Sequence, residues 1–227
     1  MTDRTLRVVI ADDHTVVRQG IRSVLEEVEG LVVVAEAGDG QEALDRVAEL
    51  SPDVVVLDVS MPVKSGLDVT RELREDGGRD VRILILSMHE DPEYILQAVR
   101  AGADGYVLKD AAPAELRDAV QAVHEGREYF TARVTHQLSV GLRREIEAEQ
   151  LRTRLESLTN REREVMLLVA EGLTNREIGE RLEISPRTVE THRERVMSKL
   201  RVRSVAELTR FVVEHGLDAP GPQAGGP

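Results

Sequence analysis

Residues 54–62, VVVLDVSMP, bring four apolar side chains straight into Asp58. A β-branched run without polar alternation is that of a strand buried on both faces. In parallel α/β sheets, chemistry lies just beyond the carboxyl ends of such strands. A lone aspartate there ordinarily caps a turn, but three other apolar runs end in a similar way. LRVVIA at 6–11 runs into Asp12 and Asp13, RILILS at 82–87 ends in Ser87, and GYVL at 105–108 runs into Lys109. Three carboxylates gathered at one rim repel and raise one another's pKa. A divalent cation relieves that repulsion, and oxygen ligands with room for water suit Mg²⁺. A carboxylate beside such an ion can act as nucleophile toward a phosphoryl group. The product carries roughly −1.5 to −2 charges, which the Lys109 ammonium and the Ser87 hydroxyl are suited to bind.

These residues meet only if the elements between them place the strand ends side by side. Val17, Ile21, Val24, Leu25 and Val28 have the spacing of one helix face. Gly38-Asp39-Gly40 turns the chain into a second helix, and a third is expected over 66–75. Asp91-Pro92 is an N-cap followed by proline at the first helical position. Leu116, Ala119, Val120 and Val123 mark a fifth helix. Five strands alternating with five helices over 6–125 predict a doubly wound parallel α/β domain. With strand order 2-1-3-4-5, strands 1 and 3 are neighbours about 4.8 Å apart. Right-handed crossovers then put every polar strand end on one rim.

From Leu158 the pattern is helical only. Thr159 to Glu162 and Thr174 to Glu177 are capping boxes, and Ser185-Pro186 starts a third helix, with Val189, Val196 and Leu200 inward. A fourth is expected over 204–215. Gly179 costs its helix about 1 kcal/mol against alanine, which a close helix crossing would justify. Two short helices joined over 182–185 make a helix-turn-helix, whose second helix enters the major groove of DNA. Its outer face carries Arg187, Thr188, Glu190, Thr191, Arg193, Glu194 and Lys199. The predicted organisation is a (βα)5 domain over 1–130, a helical linker over 131–157 and an all-α four-helix domain over 158–217. The Pro/Gly-rich tail over 218–227 is expected to be disordered.

Net charge is −12, unevenly spread: residues 1–130 hold 27 acidic and 14 basic side chains, whereas 158–227 hold 11 of each. Nucleic-acid binding is therefore expected of the C-terminal segment alone. With no cysteine, neither a disulfide frame nor cysteine-ligated zinc is available. No signal peptide or membrane span is expected, and a cytoplasmic location fits.

ADDH at 11–14, LDVSMP at 57–62, LSMH at 86–89 and GYVLKD at 105–110 resemble the receiver domain of bacterial response regulators. The resemblance implies that Asp58 is the phosphoacceptor. It also implies that Asp13 and Asp58 bind Mg²⁺ directly, Asp12 mostly through water, and the Ser60 carbonyl completes the protein ligands. Ser87 and Lys109 would hold the phosphate, and Tyr106 would be an aromatic that turns inward when Ser87 moves to it. His14 is expected as a first-turn helix residue rather than a ligand, and His89 as a solvent-facing loop residue. LTNREREVM at 158–166, GLTNREIGERL at 172–182 and SPRTVETHRERVMSKL at 185–200 resemble the LuxR/NarL/FixJ-type DNA-binding domain. Carried over, Glu190, Thr191 and Glu194 occupy base-reading positions. Arg187, Thr188, His192, Arg193 and Lys199 would contact phosphates, with Asn175 at the preceding helix start.

The resemblance implies a sensor histidine kinase and double-stranded DNA as partners and a phosphorylation-assisted homodimer. It makes the chain a stoichiometric phosphoacceptor rather than an enzyme. A haloacid-dehalogenase-like phosphatase is the competing reading of Asp58. It needs a second aspartate two residues on, where this chain has Ser60. No glycine-rich dinucleotide turn follows the first strand, which argues against a flavodoxin-like enzyme. A four-helix protein-interaction module is the competing reading of the C-terminal domain.

Overall fold

The computed structural model describes residues 5–75 and 81–217, so the expected tail lies outside the described residues. The apolar runs form strands β1 (Leu6–Ala11), β2 (Leu31–Ala37), β3 (Val54–Asp58), β4 (Arg82–Ser87) and β5 (Gly105–Leu108). Between and after them come α1 (Thr15–Glu26), α2 (Gly40–Leu50), α3 (Gly66–Glu75), α4 (Pro92–Ala101) and α5 (Pro113–His124). A two-residue strand, β6 (Tyr129–Phe130), joins the far edge, so the sheet among the described residues has six parallel strands in the order β2-β1-β3-β4-β5-β6. The 2-1-3-4-5 order is as expected, and β6 corrects the count of five. Two residues are too few to show a period-2 pattern in sequence.

Alternate strand residues serve opposite faces. Val9, Val55, Leu57, Ile83, Ile85 and Tyr106 pack with α2, α3 and α4, while Val8, Ile10, Val54, Val56, Leu84 and Val107 pack with α1 and α5. Both faces are covered, which is why these strands read as continuous apolar runs. Ala11 pairs with Leu57, so Asp12 and Asp58 leave the sheet as neighbours. Asp58 pairs with Leu86, and Ser87 with Leu108, which brings Ser87 and Lys109 to the same rim.

Helix α6 (Ala132–Glu156) covers most of the expected linker. Its first turns belong to the α/β core: Val134 is buried among the α2–α4 side residues, with Leu138 packed against them. The chain divides into two compact units, Met1–Arg144 and Glu145–Pro227, so the first extends beyond residue 130.

The second unit holds α7 (Asn160–Ala170), α8 (Asn175–Leu182), α9 (Pro186–Leu200) and α10 (Val205–Glu214) around Val165, Met166, Ile178, Val189, Val196, Leu200, Leu208 and Val212. Both capping boxes form, and Ser185 accepts from the Thr188 amide. The reason for Gly179 differs from expectation. A Cβ there would lie 2.7 Å from the Ile184 carbonyl oxygen, so it is the turn between α8 and α9, not a crossing helix, that excludes a side chain.

Candidate functional site

Asp12 and Asp58 are buried, at 1% and 4% exposure. Both meet the Lys109 ammonium, whose Nζ lies 2.6 Å from Asp12 Oδ2 and 2.8 Å from Asp58 Oδ2. Two carboxylates from adjacent strands thus share one cation, and a third, Asp13, stands at the more open side. Backbone interactions hold the arrangement. Arg18 donates to the Asp12 carbonyl (2.6 Å) while pairing with Glu36, and the His14 amide donates to Asp12 Oδ1 (2.8 Å). Behind Asp58, Gly66 is needed for close approach: a Cβ would sit 2.1 Å from the Asp58 carbonyl oxygen.

Electrostatics follow from this geometry. Burial pushes the Asp58 carboxyl above its ordinary value, against the Lys109 ammonium and the Ser60 amide, which favour its charge; the Asp12 carboxylate adds to the rise. Burial works to lower the Lys109 ammonium, but the Asp12 and Asp58 hydrogen bonds outweigh it and its pKa rises. The lysine is therefore a fixed charge in the physiological range.

Ser87 is fully buried at the end of β4 and accepts from the His89 amide (3.1 Å). Tyr106 is already inward, fully buried, with its hydroxyl donating to the His89 carbonyl (2.7 Å). Burial pushes its phenol up. His89 departs from the expectation of a solvent-facing loop residue. Its Nε2 lies 3.1 Å from Ser60 Oγ, and its ring stacks on Tyr94 with centroids 4.2 Å apart. The stacking partner is on α4, which a linear reading of the loop does not reveal. His14 stands at the N-cap position of α1, with Nδ1 2.6 Å from Asp13 Oδ1. Asp12, Asp13 and His14 offer ligand atoms within 4.8 Å of one another, a cluster able to hold a cation.

In the second unit, Arg187, Thr188, Glu190, Thr191 and Glu194 are exposed on α9. Positions 187, 190, 191 and 194 have the spacing of one helix face. Arg193 donates to Asn175 Oδ1, joining the middle of α9 to the start of α8. Two expected phosphate contacts lie off that face. His192 lies three residues after Val189 and four before Val196, on the buried stripe, and its Nδ1 is buried without a hydrogen-bond partner. Lys199 donates to Glu162 Oε2 (2.6 Å) and the Ser157 carbonyl (2.8 Å). Glu162, the capping-box carboxylate of α7, is 2% exposed, and its buried charge takes the lysine as counter-ion. The periodicity that placed Lys199 on α9 carried no information about a partner 37 residues away.

Residues 8–121 match the response regulator receiver domain, and residues 156–212 match the bacterial regulatory proteins of the luxR family. The response regulator UvrY of Escherichia coli is 37% identical over 212 residues, which cover 93% of this chain and 95% of UvrY. The crystal structure of ChrA, a response regulator of a heme-sensing two-component system, is 36% identical with a TM-score of 0.54, covering 94% of this chain and 98% of ChrA. A structure of two RcsB dimers bound to two parallel DNAs is 27% identical with a TM-score of 0.55, covering 96% of this chain and all of that one. Among the described residues no helix is long and apolar enough to cross a membrane. Family matches to both halves, and full-length relatives that join them in the same order, make this chain a member of the NarL/FixJ-type, LuxR-class DNA-binding response regulators of two-component systems.

Proposed function

We propose that Asp58 accepts a phosphoryl group from a phosphohistidine of a sensor histidine kinase, and that the resulting change controls dimerisation, DNA binding and transcription in the cytoplasm. The observation that carries this reading is the convergence of two buried carboxylates on one ammonium at neighbouring strand ends. Three carboxylates against one lysine leave surplus negative charge, and the donors are hard oxygens with one open side. That set fits Mg²⁺, which Asp13, Asp58 and the Ser60 carbonyl would hold, with Asp12 supporting it less directly. Bound there, the ion supplies charge neutralisation for the transferred phosphoryl group.

An Asp58 carboxylate oxygen attacks phosphorus, the P–N bond to the kinase histidine breaks, and the imidazole leaves with the bond's electron pair. Lys109 and the Ser87 hydroxyl take the phosphoryl oxygens. His89 gives up its hold on Ser87 as that hydroxyl turns. Ser60 offers no acid–base carboxylate two residues beyond Asp58, so the acyl phosphate hydrolyses slowly and the chain is a stoichiometric acceptor, not an enzyme. On DNA, Glu190, Thr191 and Glu194 face the bases, and Arg187 and Thr188 face phosphates, with Asn175 and Arg193 at the junction of the two helices. RcsB bound to DNA as dimers supports a paired arrangement for this chain.

The test is labelling by acetyl phosphate with Mg²⁺. Wild type takes up about one phosphoryl group per chain, and Asp58→Asn takes up none while keeping its circular dichroism. Retained labelling in that variant overturns the assignment, and repeated turnover favours a phosphatase. Selection of bound genomic fragments with and without acetyl phosphate then tests control of DNA binding.

A further inference from the structure

We propose that Arg133, at the start of α6, clamps the two loops that leave β4 after Ser87 and β5 at Lys109, and that phosphoryl occupancy of Asp58 opens this clamp. The inference rests on the phosphoacceptor reading above and adds a residue outside it. The Arg133 guanidinium donates to Glu90 Oε1 through one nitrogen and lies 3.4 Å from Asp110 Oδ2 through another. Glu90 is three residues beyond Ser87, and Asp110 directly follows Lys109. One side chain of α6 therefore ties together the loops leaving β4 and β5.

Each loop has a route from the phosphoacceptor. Along the first, the Ser87 hydroxyl accepts from the His89 amide, the His89 carbonyl accepts from Tyr106, and His89 Nε2 touches Ser60 Oγ. Glu90 is the next residue. Along the second, Lys109 holds Asp58 directly, and Asp110 is bonded to it in the chain. When Ser87 and Lys109 draw in around a phosphoryl group, both acids are carried away from Arg133. There is room for that motion: a polar cleft of about 400 Å³ separates the β5–α5 loop from the start of α6, lined by Asp110, Glu115, Thr131 and Arg133.

The same end of α6 is seated on the core by close packing. Val134 is 1% exposed, and at Gly141 a Cβ would stand 3.1 Å from both Pro92 Cβ and the Pro92 carbonyl oxygen. Pro92 opens α4, two residues after Glu90, so a shift of Glu90 reaches this contact too. Arg133 is half exposed, at 53%. Ion pairs of that exposure move an equilibrium by at most about fivefold, which suits a contact that must break. By linkage, whatever occupancy opens, opening in advance must favour.

The experiment measures the affinity of the full chain for beryllofluoride with Mg²⁺, a phosphoryl analogue, and amide exchange over residues 132–141. In wild type, the analogue speeds exchange in that segment. Arg133→Gln without analogue shows the faster exchange and binds the analogue about two- to fivefold more tightly. Glu90→Gln does the same, and the double variant gains little more. Arg127→Gln, which removes an exposed partner of Glu125, changes neither readout. The clamp is overturned if wild type binds the analogue but Arg133→Gln leaves affinity and exchange unchanged, or if exchange over 132–141 ignores the analogue. If wild type fails to bind the analogue at all, the phosphoacceptor reading falls, and the clamp with it.

Discussion

Glu162 shows how much one buried side chain settles in the second unit. Its carboxylate closes the capping box of α7 by accepting from the Thr159 amide (2.8 Å) and also receives the Lys199 ammonium. Burial works against the charge, but Lys199 and the two Thr159 bonds prevail, and the carboxyl is held below its ordinary 4.5. A depressed carboxyl contributes stability that is complete above its unfolded value and is lost as pH falls through the lower folded value. The second unit should therefore lose stability on acidification below about pH 4.5. Glu162→Gln keeps an acceptor for the cap but cannot ionise. Its stability at neutral pH should be lower by roughly 1–3 kcal/mol, with a flatter profile between neutral pH and the acid range. Urea unfolding followed through the amide signals of α7 and α9 checks both, and an unchanged acid slope in the variant would show that another group titrates there. Half of this site was legible: T-x-x-E is a local pattern with a local mechanism, whereas the Lys199 partner depends on how α7 and α9 pack.

Among the elements, two glycines in helices separate intrinsic propensity from packing. Gly20 in α1 has nothing within 4 Å of where a Cβ would stand, whereas Gly179 in α8 faces the Ile184 carbonyl oxygen at 2.7 Å. The Ile184 amide in turn donates to the Gly179 carbonyl (3.0 Å), which ties the turn back onto the helix. Alanine should therefore stabilise at position 20 by about 0.5–1 kcal/mol and destabilise the second unit at position 179 by about 1–3 kcal/mol. Gly179→Ala should weaken DNA binding and leave phosphoryl uptake intact. Thermal unfolding, a gel shift and acetyl phosphate labelling of the two variants check this, and equal effects of the two substitutions would mean the turn yields easily. The five long strands and their order were readable because burial on both faces leaves an unbroken apolar run and short crossovers leave few topologies. That order makes strands 1 and 3 neighbours, which was enough to predict the meeting of Asp12 and Asp58; the register that sets Ala11 opposite Leu57 came only from the structure. The strand β6, the seating of α6 through Val134 and Gly141, and the stacking of His89 on Tyr94 were not readable. The first two depend on contacts between segments distant in sequence, and the third on how the loop after β4 turns into α4; none is made by residues with a periodic or capping signature.

At the scale of the whole molecule, charge decides how this chain approaches DNA. The first 130 residues carry −13 against a net of −12 for the chain, while residues 158–227 are balanced. An acidic bulk repels a polyanion, but beyond about 10 Å that repulsion is screened at 0.1 M salt. Binding must then come from the few cations that a groove-facing helix presents, and on α9 these are flanked by Glu190 and Glu194. Each carboxylate costs affinity near phosphates yet can accept from cytosine N4, so affinity should be modest and its salt slope shallow, set by those few phosphate contacts. Arg193 is a poor probe of this, since its removal also frees Asn175. Arg187 is the cleaner one: it is exposed, at the second position of α9, and its side chain anchors no other residue among the hydrogen bonds and ion pairs of the described residues. If it neutralises one phosphate, Arg187→Ala should weaken binding to unrelated sequences alike and flatten the plot of log K against log salt by about one unit. Fluorescence anisotropy at several salt concentrations on two unrelated duplexes measures both quantities. A loss confined to one duplex, with the slope unchanged, would place Arg187 on a base edge instead.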